Sequence, residues 1–199
     1  MNRLLGAFSL ALTLWSPCIH SQVIVFESNG LKYQTLTKSG VTVMYAHLAP
    51  HIHQYTILQV AVTNGSQGPY VVRPEDFTYI RDTSEVRAVS AKTVIQMLIQ
   101  KGSGSDVSKL VTAYENWVSG IPSYRATNGF EQRRQSALGM GGSRLRSAAA
   151  ASAIAFVQTK LAPGETTDGA VFFPSEGKPL VGGHLVVRTN TDLFEFNAE

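Results

Sequence analysis

Short runs of β-branched and aromatic residues, separated by turn residues, constrain the fold of this chain more than any other feature of its sequence. Residues 23–27, 31–36 and 41–48 are three such runs, and Asn29-Gly30 separates the first two. Asn-Gly is a strong signal of a tight hairpin turn because both residues tolerate positive φ. The N-terminal part of the chain therefore predicts neighbouring antiparallel strands.

The next run, residues 53–64, is rich in β-branched residues but does not alternate cleanly between apolar and polar positions. Tyr55 and Ile57 fall on one face of an extended chain, whereas Leu58 and Val60 fall on the other. Either a bulge near Ile57-Leu58 or a strand that is buried on both faces would explain this pattern.

Further strand-like runs follow, and proline lies after one run and within another. Pro50 predicts an interruption after the third run, and Pro74 predicts an edge strand, a bulge or a break. Phe194 and Phe196 alternate with polar residues, which is typical of a half-buried strand. The remaining runs are residues 70–82, 157–161, 169–174, 183–189 and 193–198.

The middle of the chain is different in character. Residues 90–101 and 106–118 have the length and the apolar spacing of helices, and residues 144–156 are rich in alanine. Asp106 is a good candidate for the N-cap of the second helix. The sequence predicts a mainly β fold, an antiparallel β-sandwich with two to three helices inserted between strands at about residues 90–156.

The first 21 residues have the pattern of a secretory signal peptide. Arg3 precedes an uncharged apolar run of about 12 residues, shorter than the roughly 20 that a membrane-spanning helix needs. Cleavage after Ser21 would leave residues 22–199 as one domain and remove Cys18, the only cysteine. Membrane contact is then expected only through an uncleaved signal segment, and thiol chemistry is excluded.

The charge of the chain argues against one class of partner. Without Arg3, the remaining chain has 16 Lys plus Arg against 14 Asp plus Glu, a net charge of +2. A balance so near neutral does not indicate a nucleic-acid-binding protein.

Two segments resemble a known kind of domain. Residues 58–82 combine a valine-rich strand ending in Val-Thr-Asn with a Pro-x-Asp-Phe strand, and residues 156–174 contain Leu-x-Pro-Gly-Glu before a Val-x-Phe strand. Together with HLVVRT at 184–189, they resemble the telokin-like, immunoglobulin-like β-sandwich domains of exported bacterial proteins. The resemblance implies an interaction role at the cell envelope. The predicted helices at about residues 90–156 are a departure from this kind of domain.

The histidines of HLAPHIHQY form the first candidate site. His51 and His53 are two residues apart, so they would point the same way in an extended chain, and a turn at Pro50 could bring His47 toward them. Neutral imidazoles suit zinc or copper, so His47, His51 and His53 are candidate metal ligands, with Glu75, Asp76 or His184 as possible additions. The alternative is three solvated histidines.

Other polar motifs have simpler interpretations. Glu165 and Asp168 in PGETTDG could form a carboxylate pair, but both are expected to bond backbone N–H groups in a turn. The same is expected of Glu75 and Asp76 after Pro74. LGMGGSRLR, at 138–146, could cradle a phosphate, but it lacks a preceding strand and a phosphate-binding motif, so a joint or close helix packing is expected.

We therefore expect an exported, non-enzymatic interaction or structural module of the bacterial cell envelope. Its location would be periplasmic or secreted, its partner an envelope component, and no cofactor is expected. No G-x-S-x-G elbow is present. The alternative is a periplasmic zinc- or copper-binding module built on the three histidines, which metal analysis of His51→Ala and His53→Ala variants would test.

Overall fold

A computed structural model describes residues 22–121 and 130–196, so the predicted signal peptide lies outside the described residues. The protein is mainly β, and its described residues form several antiparallel sheets and four α-helices. Seven strands come first: β1 (Ile24–Ser28), β2 (Leu31–Lys38), β3 (Val41–Ile52), β4 (Tyr55–Asn64), β5 (Tyr70–Val72), β6 (Phe77–Arg81) and β7 (Ser84–Arg87). The helices follow as α1 (Ala91–Lys101), α2 (Gly104–Ser119), α3 (Phe130–Leu138) and α4 (Ser143–Ile154). The last strands are β8 (Thr159–Leu161), β9 (Thr166–Pro174), β10 (His184–Arg188) and β11 (Leu193–Phe196).

The larger sheet has the order β1-β2-β3-β4-β9, and every neighbouring pair in it is antiparallel. Asn29 and Gly30 turn the first hairpin with φ values of 50° and 72°. Both values are positive, as the tight turn that Asn-Gly predicts requires. The predicted hairpin is confirmed.

One face of the larger sheet packs on the other sheets. A second sheet has the order β11-β10-β6-β7, and β5 pairs with β8. Leu58 and Phe173 of the larger sheet share one buried core with Phe77, Leu185 and Phe194 of the second sheet. The protein therefore contains facing antiparallel sheets with an apolar interior.

Strand β4 is buried on both faces. All of its residues are buried except Thr63, which is half-buried. Tyr55 and Ile57 belong to the core beneath the helices, whereas Leu58 and Val60 belong to the core between the sheets. Burial on both faces, one of the two alternatives that the sequence left open, explains the imperfect alternation.

Strand β3 continues through Pro50, where the sequence predicted an interruption. Its pairing with β4 is regular up to His47 and resumes at His51, with a register shift between them. Residues 48–50 therefore form a bulge, which accommodates a proline that cannot donate to the ladder. The prediction of a break was wrong, although the irregularity lies at the predicted place.

The helices cover the second face of the larger sheet. Val94 and Leu98 of α1 and Leu110 and Trp117 of α2 are fully buried in the same core as Phe172 of β9. Full burial of one such side chain contributes about 1.5–3 kcal/mol. No helix in the described part of the chain is long and apolar enough to cross a membrane.

Helix α4 packs closely because its buried positions are small. Ala148, Ala150, Ala151 and Ala153 are all buried, and α4 contacts each of the other three helices. The sequence predicted two to three helices, whereas the described residues form four. Helix α3 was missed because FEQRRQSAL has no recurring apolar positions.

Helix α2 begins earlier than predicted. Ser103 is its N-cap, and Asp106 lies three residues further on, where its Oδ2 accepts a 2.8 Å hydrogen bond from the Ser103 backbone N–H. The two residues form a reciprocal capping box. The prediction of Asp106 as the N-cap was therefore wrong, because its role is to complete the cap.

The helical block begins and ends on the same strand. The Val89 N–H donates to the Phe172 carbonyl and the Phe156 N–H donates to the Ala170 carbonyl, each over 2.9 Å. Both acceptors lie on β9, two residues apart. The helices are thus an insertion whose two ends meet on the sheet that they cover.

This junction requires glycine at position 169. A Cβ there would lie 2.5 Å from the backbone N and 2.6 Å from the Cα of Phe156. We expect Gly169→Ala to lower the free energy of unfolding by about 1–3 kcal/mol, because backbone atoms must move to relieve the clash. Gly104→Ala is the control, since a Cβ at Gly104 meets nothing within 4 Å. Urea unfolding measures both, and equal midpoints would contradict this account of the junction.

Candidate functional site

The three clustered histidines lie in two different places. His47 and His51 line an open cleft of about 600 Å³. His53 follows the end of β3 with a positive φ of 51°, and its Nε2 lies 3.3 Å from Oδ2 of Asp106 on α2. Because the chain stops being extended at His53, the two-residue spacing does not keep His51 and His53 on one side.

This arrangement does not bring the three histidines together as one set of metal ligands. Within the described residues, no group of three or more His, Cys, Asp or Glu side chains is placed to hold a metal ion. Glu75, Asp76 and His184, the additional ligands that the sequence suggested, do not line the cleft. Asp76 instead accepts a 2.8 Å hydrogen bond within its own turn. A zinc or copper site at the histidines stays a prediction.

The cleft opens between the bulge of β3, the first hairpin and the loop that joins β9 to β10. We call it the bulge cleft. Most of its lining is apolar, and its polar lining residues come from β2, β3 and β4. The lining residues are Gly30, Leu31, Lys32, Gln34, His47, Leu48, Ala49, Pro50, His51, Thr56, Gly177, Pro179, Leu180 and Val181.

His47 connects the facing sheets at the cleft. Its ring lies edge-on to Tyr45 of its own strand at 5.7 Å and to Tyr79 of β6 at 6.1 Å between ring centroids. Burial lowers the pKa of His47 from the ordinary value of 6.5, because the charged imidazolium loses hydration. The ring is therefore held in its neutral form more strongly than an exposed histidine.

The loop on the far side of the cleft is anchored at both ends. Thr56 Oγ1 donates to the Lys178 carbonyl over 2.8 Å and lies 2.6 Å from Ser175 Oγ. At the other end, the Gly183 N–H donates to the Tyr79 hydroxyl over 3.1 Å. These contacts fix the loop against β4 and β6, so both walls of the bulge cleft are built by the fold.

The carboxylates of PGETTDG have separate roles. Glu165 Oε2 accepts a 2.7 Å hydrogen bond from the Ala162 N–H, which confirms the predicted turn role. Asp168 is buried on β9, with only 2% of its surface exposed. The prediction of a turn role for Asp168 was wrong, because the strand begins at Thr166 and carries Asp168 into the interior.

Asp168 joins the sheet to the helices. Its Oδ2 accepts hydrogen bonds from the Tyr114 hydroxyl at 2.8 Å and from Gln59 Nε2 at 3.3 Å. Strand alternation offered the signal that the sequence analysis missed, since Asp168 shares a face with Ala170 and Phe172. A buried carboxylate needs such donors, so this cluster fixes α2 to the sheet.

The glycine- and arginine-rich segment bonds its own backbone. Arg146 donates to the Met140 carbonyl through Nε at 3.3 Å and Nη2 at 3.2 Å. Arg133 Nη2 donates to the Ala153 carbonyl at 3.0 Å. The Arg133 contact joins α3 to α4, and the Arg146 contact joins α4 to the turn that precedes it. Neither contact supports a phosphate cradle.

A second candidate surface is the outer edge of β1. In the described residues β1 pairs only with β2, so its other side carries open backbone groups. Ile24 is 60% exposed and Phe26 is 36% exposed, with the Phe26 ring stacked on Tyr33 at 4.9 Å. This edge therefore combines backbone donors and acceptors with apolar side chains.

No protein-family model, curated protein or solved structure matches this chain. The resemblance to immunoglobulin-like domains of exported proteins stays a prediction. The functional argument therefore rests on the geometry of the bulge cleft and of the β1 edge.

The partial burial of His47 makes the stability of the fold depend on pH. Because its folded pKa is lowered, its contribution is present above the ordinary value of 6.5 and is lost as the pH falls toward the folded pKa. We expect the free energy of unfolding of the wild-type protein to fall as the pH is lowered from about 7.5 to 5. The free energy of unfolding of His47→Gln is expected to fall less over the same interval. His184→Gln, outside the cleft, is the control. Urea unfolding across this range tests it, and parallel curves for wild type and His47→Gln would refute it.

Proposed function

We propose that the chain is an exported, non-enzymatic interaction module of the bacterial cell envelope, with an immunoglobulin-like β-sandwich as its core. The observation that carries this proposal is the open, apolar edge of β1. The signal-peptide pattern of residues 1–21 supports export to the periplasm or beyond. The partner recognised at the edge is an extended segment of another envelope protein.

The hairpin geometry identifies which backbone groups of β1 are open. Ser28 pairs with Leu31 across the two-residue turn, and such a pair is hydrogen-bonded in a tight hairpin. Hydrogen-bonded and non-hydrogen-bonded pairs alternate along antiparallel strands. Val25 and Glu27 therefore direct their N–H and C=O groups away from β2, toward an added strand.

Two other sheet edges, β9 and β7, are less suited to strand addition than β1. The outer side of β9 is occupied by backbone hydrogen bonds from Val89 and Phe156. Strand β7 has four residues and carries the charged side chains Glu85 and Arg87. Short, charged or covered edges are protected from pairing, whereas an apolar edge such as β1 invites it.

The roles of two buried carboxylates and one half-buried carboxylate support a non-enzymatic function. Asp106 completes the cap of α2, and Asp168 bonds Tyr114 and Gln59. Asp76 accepts a backbone hydrogen bond within its turn, although burial raises its pKa. Each of these groups has a structural task that accounts for its burial.

Proline substitutions on the edges of β1 and β7 test the proposal. Glu27→Pro removes an outward N–H of β1 without removing a hydrogen bond to β2. Glu85→Pro makes the same chemical change at the corresponding outward position of β7. The two variants therefore differ only in the sheet edge at which proline replaces glutamate. Loss of one backbone hydrogen bond is expected to weaken binding about fivefold or more.

The measurement is photocrosslinking in the envelope of the native host, with p-benzoylphenylalanine at position 24. Wild type and Glu85→Pro are expected to give the same discrete protein adduct, and Glu27→Pro is expected to lose most of it. Circular dichroism of both variants checks that they are folded. An adduct yield that Glu27→Pro leaves unchanged would show that strand addition at β1 is not the mode of interaction.

A further inference from the structure

The bulge of β3 changes the spacing of two histidines. His47 pairs with Leu58 and His51 pairs with Thr56, so the step from one histidine to the other matches a step of two residues on β4. Leu58 and Thr56 share one face of their strand, and residues that pair across strands share a face as well. His47 and His51 are therefore next neighbours on this face, about 7 Å apart along the strand.

Both side chains reach the bulge cleft from this face. The His47 ring lies edge-on to Tyr79 of the second sheet. His51 lies beside Gly177, in the loop that forms the far wall of the cleft. Both histidines line the cleft, so a small ion can contact both rings there.

The protonation state of the pair suits a metal ion. Burial lowers the pKa of His47, which keeps its ring neutral at pH 7. His51 is exposed at the rim, where its ring can rotate toward the cleft. A neutral imidazole keeps a nitrogen lone pair that can bind a metal.

A buried oxygen lies on the same face. Gln34 pairs with Tyr45, whose ring contacts the His47 ring, and Gln34 also lines the cleft. Within the described residues, the Oε1 atom of Gln34 is buried without a hydrogen-bond partner. Buried acceptors are normally bonded, and a metal ion or a water molecule held by a metal can supply such a partner.

We propose that His47 and His51 bind one Cu²⁺ ion in the bulge cleft. Two neutral imidazoles with oxygen donors suit Cu²⁺, which such sites bind more tightly than the other divalent first-row metals. Zinc sites use three or four protein ligands, and the described residues assemble no group of three His, Cys, Asp or Glu. Gln34 or water completes the coordination.

This ligand set differs from the one that the sequence suggested. His53 is excluded, because it lies on the other side of the turn, beside Asp106 of α2. The copper site and the β1 edge are different surfaces, so either can exist without the other.

One cationic side chain lines the cleft as well. Lys32 is exposed and takes part in an interaction within the protein. A lysine stem can stay at a wall while its ammonium group lies in water, and salt screens such an exposed charge. Copper binding therefore does not require a change at Lys32.

Calorimetric titration of the protein with Cu²⁺, without a histidine tag, tests the proposal. One Cu²⁺ per chain is expected to bind in the cleft. His47→Gln and His51→Gln are each expected to weaken binding about tenfold or more, since even residues outside a ligand set change metal affinity by that factor. The matched controls are His53→Gln and His184→Gln, which are expected to bind Cu²⁺ as the wild type does.

Electron paramagnetic resonance of the bound Cu²⁺ reports the ligands directly. The wild-type spectrum is expected to show two imidazole nitrogens and the His51→Gln spectrum one. Because His51 is exposed, this variant keeps the comparison available if His47→Gln does not fold. Unchanged affinity in His51→Gln, an equal loss in His53→Gln, or tighter binding of Zn²⁺ than of Cu²⁺ would overturn the proposal.

Discussion

The larger sheet is apolar on both faces, and the rest of the architecture follows from that constraint. Strand β4 buries Ile57 toward the helices and Leu58 and Val60 toward the second sheet. A sheet with water on one side would expose half of these residues, at a cost of about 1.5–3 kcal/mol each. The chain therefore needs two covers, the second sheet on one face and the helical insertion on the other.

The way in which these covers are attached determines which surfaces remain available. The insertion begins and ends on β9, so it closes that edge of the larger sheet, while the capping box of α2 and the Tyr114–Asp168 hydrogen bond hold the helices in place. The β1 edge is left open at the opposite side. The bulge cleft forms where β3 bulges, between the first hairpin and the loop that joins β9 to β10. Both candidate surfaces are thus places that neither cover reaches.

Local patterns in the sequence predicted the elements well, because hairpin turns and strand alternation depend on neighbouring residues. Asn29-Gly30 predicted its turn, and Phe194 and Phe196 predicted a half-buried strand that the structure confirms. Contacts between distant parts of the chain were not predictable in this way. Alternation with Ala170 and Phe172 could have placed Asp168 on a strand, but no local pattern indicates its partner Tyr114, which lies 54 residues away.

The candidate site was predicted less well than the fold. The histidine spacing assumed an extended chain, whereas the bulge at 48–50 and the positive φ of His53 send the rings to different places. The spacing of the histidines in the sequence does not indicate either feature. The open β1 edge depends on the strand order of the whole sheet, which a single run of residues does not specify.

Excision of the helical insertion tests the central claim most directly. Val89 and Phe156 bond carbonyls two residues apart on β9, so a short Gly/Ser linker can replace residues 90–155 without moving the sheet. This account predicts that the excised protein will aggregate or unfold without cooperativity, because Tyr33, Ile57 and Phe172 lose their cover. A monomeric excised protein that keeps its β circular dichroism spectrum and unfolds cooperatively in urea would contradict it.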